Sequence, residues 1–169
     1  YVITNASELQ DMNADIDAAY TLGNDIDASS IANFDPVHNS TSGGTFDPFT
    51  GSFDGANHTI SNLTIDRPTE KNVGLFGSTG SGAVIENVGV LNANITGNDQ
   101  VGGLAGLLFG GEVTVSNSYA TGNVTGDTSD VGGLVGEIFE GMVADSYATS
   151  SVHSSGDNTG GLVGYNAGG

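Results

Sequence analysis

The sequence has no cysteine, no tryptophan, three prolines and two basic residues in 169. Without cysteine there is no disulfide framework and no thiolate metal site. Many extracellular proteins also lack cysteine, so this absence leaves the compartment open. No apolar run approaches the ~18 residues of a membrane span, and no secretory leader is visible. Tyr1 is not a natural start and Gly169 falls inside a repeat, so the chain reads as a processed or trimmed piece of something longer. The scarcity of basic residues excludes most. Arg67 and Lys71 stand against 20 Asp and Glu, for a formal net charge of -18. Such a surface repels nucleic-acid phosphates and anionic lipid headgroups, so neither a nucleic-acid partner nor membrane insertion is expected. It attracts cations and tolerates salt, which screens its self-repulsion.

What is present is periodic. VGLFG at 73–77 is followed by VGGLAG at 101–106, VGGLVG at 131–136 and TGGLVG at 159–164. The last glycines are Gly77, Gly106, Gly136 and Gly164, spaced by 29, 30 and 28 residues. IENVGVLNANITG (85–97), VSNSYATGNVTG (115–126) and VADSYATSSVHS (143–154) keep the same beat. Repetition at this period indicates stacked units, and 37% apolar content recurring in register argues against disorder. The units are rich in Val, Ile, Thr, Ser, Asn and Gly, which favour strands and turns over helices. Three short strand candidates per unit, in the third GGLVGEI, GMVADSYA and the stretch around Val152, predict one coil of a parallel β-helix.

In such a coil Leu75, Leu104, Leu134 and Leu162 are expected to stack inside, with Val73, Val101, Val131 and Thr159 as a second inward column. Gly74, Gly77, Gly103, Gly106, Gly133, Gly136, Gly161 and Gly164 would allow sharp corners and close backbone approach. These residues are read as building the fold. Asn87, Asn117 and Asp145 occupy matching turn positions, as do Tyr119 and Tyr147. SELQ at 7–10 reads as a capping box with Ser7 as N-cap and Gln10 reaching back, and Leu9, Met12 and Ile16 follow at helical spacing. The expected organisation is one domain, 1–169: a helical cap (1–19) over the open end, irregular first coils (20–70) with a strand at 20–29 and a polar loop at about 29–48, and regular repeats (71–169).

YTLGNDIDAS, PFTGSFDGANHTISNLTI, VGLFG and the repeated VGGLVG with NSYATGNV resemble, in that order, proteins carrying the GLUG motif, named for its G-L-x-G core. The resemblance runs from about Tyr20 to Gly164. It implies a right-handed parallel β-helix in large secreted or surface-anchored microbial proteins, many of them adhesin-like. Some members are IgA-specific metallopeptidases with the repeats outside the catalytic part. This sequence has no HExxH, so that activity is not carried over. The acidic excess further resembles the surfaces of proteins from extreme halophiles, with a marine bacterial protein as the alternative.

Four carboxylates, Asp99, Asp127, Asp130 and Asp157, precede the repeated phrase and would form an acidic edge. Rungs about 4.8 Å apart would let neighbouring carboxylates share calcium or another cation, but no EF-hand or RTX loop is present, and a solvated face is the preferred reading. Asp25 and Asp27 are expected to point outward, since buried unpaired carboxylates are costly. Sequons begin at Asn5, Asn39, Asn57, Asn62, Asn94 and Asn123. Asp47, Asp54 and Asp66 could serve a polysaccharide-cleaving site, but no constellation singles them out. His38, His58 and His153 have no partner at metal-ligand spacing. The reading is therefore a non-enzymatic extracellular scaffold, stalk or adhesin module that needs no cofactor. Its partners would be further repeats or other copies, with assembly end to end into a filament. Glycan binding through Tyr119, Tyr147 and Phe139 is the alternative, and a polysaccharide-degrading enzyme a third.

Overall fold

The computed structural model describes residues 1–39 and 46–168. The chain is an all-β parallel solenoid: every strand pairing within it is parallel. Among the described residues four sheets run along it, named here in the order the chain visits them. Sheet A has six strands, Val2–Ile3, Ala19–Leu22, Ser52–Asp54, Val84–Glu86, Thr114–Ser116 and Met142–Ala144. Sheet B has seven, with Gly89–Gly97 and Tyr119–Gly126 at its centre. Sheet C joins Lys71–Val73, Asp99–Gly102, Val131–Gly132 and Thr159–Gly160. Sheet D joins Phe76–Thr79, Ala105–Leu108, Val135–Ile138 and Val163–Asn166.

Each regular coil thus has four sides rather than three, because GGLVGEI, expected as one strand, is two. The chain leaves sheet C at Gly132, turns through Gly133 and Leu134, and enters sheet D at Val135. Space explains why glycine stands there. A Cβ on Gly132 would lie 2.0 Å from the Val135 carbonyl oxygen across the arc. A Cβ on Gly136 would lie 2.5 Å from the Val101 nitrogen and 2.6 Å from the Gln100 carbonyl carbon. Gly106 meets Asn72 and Val73 in the same way, and Gly164 meets Asp130 and Val131. The phrase therefore folds sheet D onto sheet C at backbone contact. Gly77 packs on His38 and Asn39, Gly74 on the Gly102 carbonyl, Gly103 on that of Gly133, and Gly133 on that of Gly161. Gly161, in the last coil, has open space at its Cβ position.

The core is one cluster along the axis. Val73, Val101 and Val131 stand in register and are fully buried, with Thr159 next. Leu75, Leu104 and Leu134 are fully buried, and the backbone ladder runs on through the turn: Leu104 N–H donates to Leu134 O at 2.8 Å, and Leu134 N–H to Leu162 O at 2.9 Å. Phe49, Phe53 and Phe76 fill the wider early coils with tilted and edge-on ring contacts.

The first seventy residues depart from the sequence reading at three points. The helix Ala6–Gln10 is capped by Asn5, not Ser7: Asn5 Oδ1 accepts from the Glu8 amide at 3.0 Å, and Glu8 reaches back to the Thr4 amide at 2.7 Å. Asn caps as well as Ser, and the frame two residues earlier places Leu9 and Met12 fully in the core. Gln10 instead brackets Asp35, donating to its carbonyl and accepting from its amide, both at 2.8 Å. The stretch 20–29 is two strands, Ala19–Leu22 and Ile26–Asp27. The described part of the expected polar loop buries Phe34 and Val37 completely; their amides donate to Thr64 O and Leu75 O, so this segment forms an irregular rung. Residues 40–44, most of NSTSGG, lie outside the described residues.

Candidate functional site

Polar residues cluster where each coil enters sheet C, ahead of the Gly-Leu turn. Just before each phrase one residue takes a left-handed backbone: Asn72 (φ 55°), Gln100 (49°), Asp130 (59°) and Asn158 (53°). Asn and Asp tolerate that conformation through local hydrogen bonding. Asn158 Nδ2 donates to Asp130 Oδ1 at 2.8 Å, and Gln100 Nε2 donates to Glu137 Oε2 at 3.0 Å. Asp99 belongs to the neighbouring column, in register with Lys71, whose Nζ donates to its Oδ2 at 2.8 Å.

Electrostatics follow from this crowding. The Asp99 hydrogen bond and charge, with Asp130 and Glu137 nearby, hold the Lys71 ammonium above its ordinary range. Burial, with Asp130 and Asp99 beside it, pushes the Glu137 carboxyl up. The acidic edge is thus not one row. Asp99 is engaged by lysine, Asp130 by the amide of Asn158 in its own column one coil on, and Asp127 and Asp157 are exposed on turns. Among the described residues no group of three or more Asp, Glu or His converges at metal-binding distance.

Elsewhere the carboxylates are dispersed. Asp25 and Asp27 point outward. The Thr59 amide and His58 hold the Asp25 carboxyl below the usual range, and Asn62 and the Ser29 amide do the same for Asp27. Asp54, on sheet A, accepts from the Ala56 amide and Asn87 Nδ2, whereas Asp66 is on sheet B, on a different side of the coil. His38, His58 and His153 lie on separate segments: His38 beside Asp47, His58 against Asp25, and His153 on sheet B.

Two aromatic columns run along the solenoid. Tyr119 and Tyr147 stack with centroids 5.0 Å apart and planes at 1°. On its other face the Tyr119 ring covers Gly89, where a Cβ would meet it at 2.4 Å. Both faces of Tyr119 are therefore occupied, and only the outer face of Tyr147 is open along the axis. At the D-to-A corner Phe109 contacts Phe46 edge-on at 5.1 Å and stacks on Phe139 at 5.4 Å. All three are exposed, at 40–48%. Sequence reasoning missed this ladder because Phe46 reaches it from an irregular segment, though the shared position of Phe109 and Phe139 after each G-L-x-G was a signal.

The sequons fall in distinct settings. Asn5 caps the helix, Asn39 Nδ2 donates to Glu70, and Asn62 Nδ2 donates to Asp27. Asn57 is exposed on a turn with φ 64°. Asn94 and Asn123 are exposed on sheet B and are register partners on neighbouring strands, as are Thr96 and Thr125.

Comparison with known proteins places these features. The family described as the GLUG motif matches residues 97–125. Those residues run from the end of one sheet-B strand through sheets C, D and A and back to sheet B, one full circuit. The chain is 45% identical over 125 residues to halomucin of Haloquadratum walsbyi, an alignment covering 74% of this chain. It spans about 1% of the length of that relative. The crystal structure of a candidate immunoglobulin A1 protease from Bacteroides ovatus superposes with a TM-score of 0.68 over 98% of this chain and 61% of that one, at 20% identity. That likeness concerns the fold alone. Residues 97–125 thus match the GLUG motif, and the circuit they make is repeated in register before and after them.

Proposed function

We propose that this chain is a non-enzymatic structural module of an extracellular, cell-surface protein. The observation that carries this reading is the continuity of four parallel sheets and one core along a single axis. Backbone hydrogen bonds then run along the rod, which resists extension and bending, while the -18 net charge keeps the exterior solvated in salt. Similarity to a protein named halomucin supports a surface location. The dispersal of the carboxylates over different sides supports a scaffold over a polysaccharide-cleaving site, which needs two carboxyls at a fixed separation. The covered faces of Tyr119 argue against a side-on sugar platform. No ligated cation is needed; cations act as screening ions along the acidic faces.

The finer form of the proposal is assembly along the axis. The last rung leaves Val143, Ala148, Val152, Leu162 and Val163 only partly buried, whereas their counterparts one coil earlier are fully buried. The occupant of that face is a further coil of the same repeat, from the same chain or another copy. Immunogold labelling and protease shaving of intact cells test the location. Surface label removed by protease is expected; label confined to lysed cells would overturn it. A polysaccharide panel in molar salt that released reducing ends would overturn the non-enzymatic reading.

A further inference from the structure

The chain's charge is distributed unevenly around the coil. Residues 87–98, 113–126 and 146–156 contain no Asp, Glu, Lys or Arg, in a chain with 20 acidic residues. These segments supply the sheet-B strands Gly89–Gly97, Tyr119–Gly126, Tyr147–Ala148 and Ser151–Ser154. From the strand Gly89–Gly97 onward, this side of an otherwise acidic rod supplies no acidic group of its own to hold water; Asp27 and Asp66 lie on its earlier strands, Asp66 in register with Thr96. Onto that side the fold brings two of the six sequons in register: Asn94 beside Asn123, and Thr96 beside Thr125.

Asn94 and Asn123 are exposed, and neither side chain has a hydrogen-bond partner among the described residues. Ile95 and Val124 between the sequon residues are buried at 0% and 1%, so the strand's alternation fixes both asparagines outward. Asn39 and Asn62, by contrast, have their amide nitrogens engaged by Glu70 and Asp27.

We propose that Asn94 and Asn123 carry N-linked glycans, forming a sugar-bearing stripe along sheet B. The stripe supplies hydration over the later strands of sheet B, which carry no carboxylates, and it keeps that uncharged part of the β-face from packing against another rod. The donor class is an oligosaccharide on a polyisoprenyl phosphate. The asparagine Nδ2 attacks the sugar C1, and the new N–C bond forms as the C1–O bond to phosphate breaks. The phosphate leaves with the electron pair, and one amide proton passes to a base on the transferase. The proposal rests on the extracellular reading, because such transfer acts on exported chains.

The test is glycopeptide mass spectrometry on the protein isolated from its own organism. Cleavage after glutamate at Glu86, Glu112 and Glu137 yields 87–112 and 113–137, with one of the two asparagines in each. Fragmentation is expected to localise hexose-containing increments to Asn94, Asn123 or both, and the increments should disappear in a Thr96→Val, Thr125→Val chain expressed in the same organism. Bare asparagines at both positions overturn the proposal, including the case where glycan is found only on Asn57 or Asn62. Bare asparagines on a chain that surface labelling finds outside the cell overturn the glycan stripe alone. Bare asparagines on an intracellular chain overturn both readings.

Discussion

Replacing Gly136 with alanine probes the arc directly. The added methyl carbon would lie 2.5 Å from Val101 N, 2.6 Å from Gln100 C and 2.6 Å from Gly106 O. All three are backbone atoms of the preceding coil, held by the ladders of sheets C and D, so no side chain can rotate away. Relief requires the two sheets to part by about 1 Å, which breaks the packing of Val101 and Leu104 beneath. Overpacking of a filled core costs about 1–3 kcal/mol and sometimes more; with backbone on every side the upper end applies, about 3 kcal/mol. For a chain of this size that corresponds to a loss of about 6–12 °C in Tm. Gly111→Ala is the control. Its Cβ position is open for 4 Å and its backbone is not left-handed, so alanine should stabilise by about 0.4–1 kcal/mol through the unfolded state. Urea unfolding in molar salt, followed by far-UV circular dichroism, measures both. A Gly136→Ala midpoint within about 0.5 kcal/mol of the parent would refute the steric account of the repeated glycine.

Leu134→Ala should cost about 2–5 kcal/mol, since the side chain is fully buried. Leu162→Ala should cost distinctly less in this chain, and the difference should close when the next repeat is appended; an unchanged gap in urea midpoints would count against coil-on-coil covering. Glu137 gives a pH signature. Its folded carboxyl titrates above the ordinary 4.5, so its contribution to stability is complete below that value and is lost as pH rises through the raised one. Glu137→Gln keeps an acceptor for Gln100 and should be more stable than the parent at pH 7 but equal to it below pH 4; a less stable variant at pH 7 would contradict the assigned cause. Finally, raising salt should raise the unfolding midpoint by screening the -18 charge, whereas a chelator at constant ionic strength should leave it unchanged. A chelator-specific loss would restore a ligated cation.

The regular coils were legible because their period is set by local rules. Val, Leu and Gly recur where every circuit needs two inward side chains and two bare backbone contacts, so spacing alone located the columns. The break inside VGGLVG was not legible: Gly102 and Gly132 are glycine because of carbonyl oxygens three residues later, a contact invisible to strand propensity. The first coils were read least well. Phe34 and Val37 lie among Asp, Asn and Pro residues without alternation, and only the amide ladder to Thr64 and Leu75 draws them inside. The acidic edge was misplaced because a one-residue offset separates Asp99 from Asp130. In a strand, one residue changes the side to which a group points.

The central claim is that these coils stack along one axis to make a rod. Electron microscopy of the native full-length protein in molar salt, with diffraction from aligned segments, tests it most directly. The account predicts thin rods whose transforms show a layer line at about 4.8 Å along the long axis, the rung spacing of a parallel solenoid. Compact particles, or fibres with the 4.8 Å repeat across the axis, would contradict it.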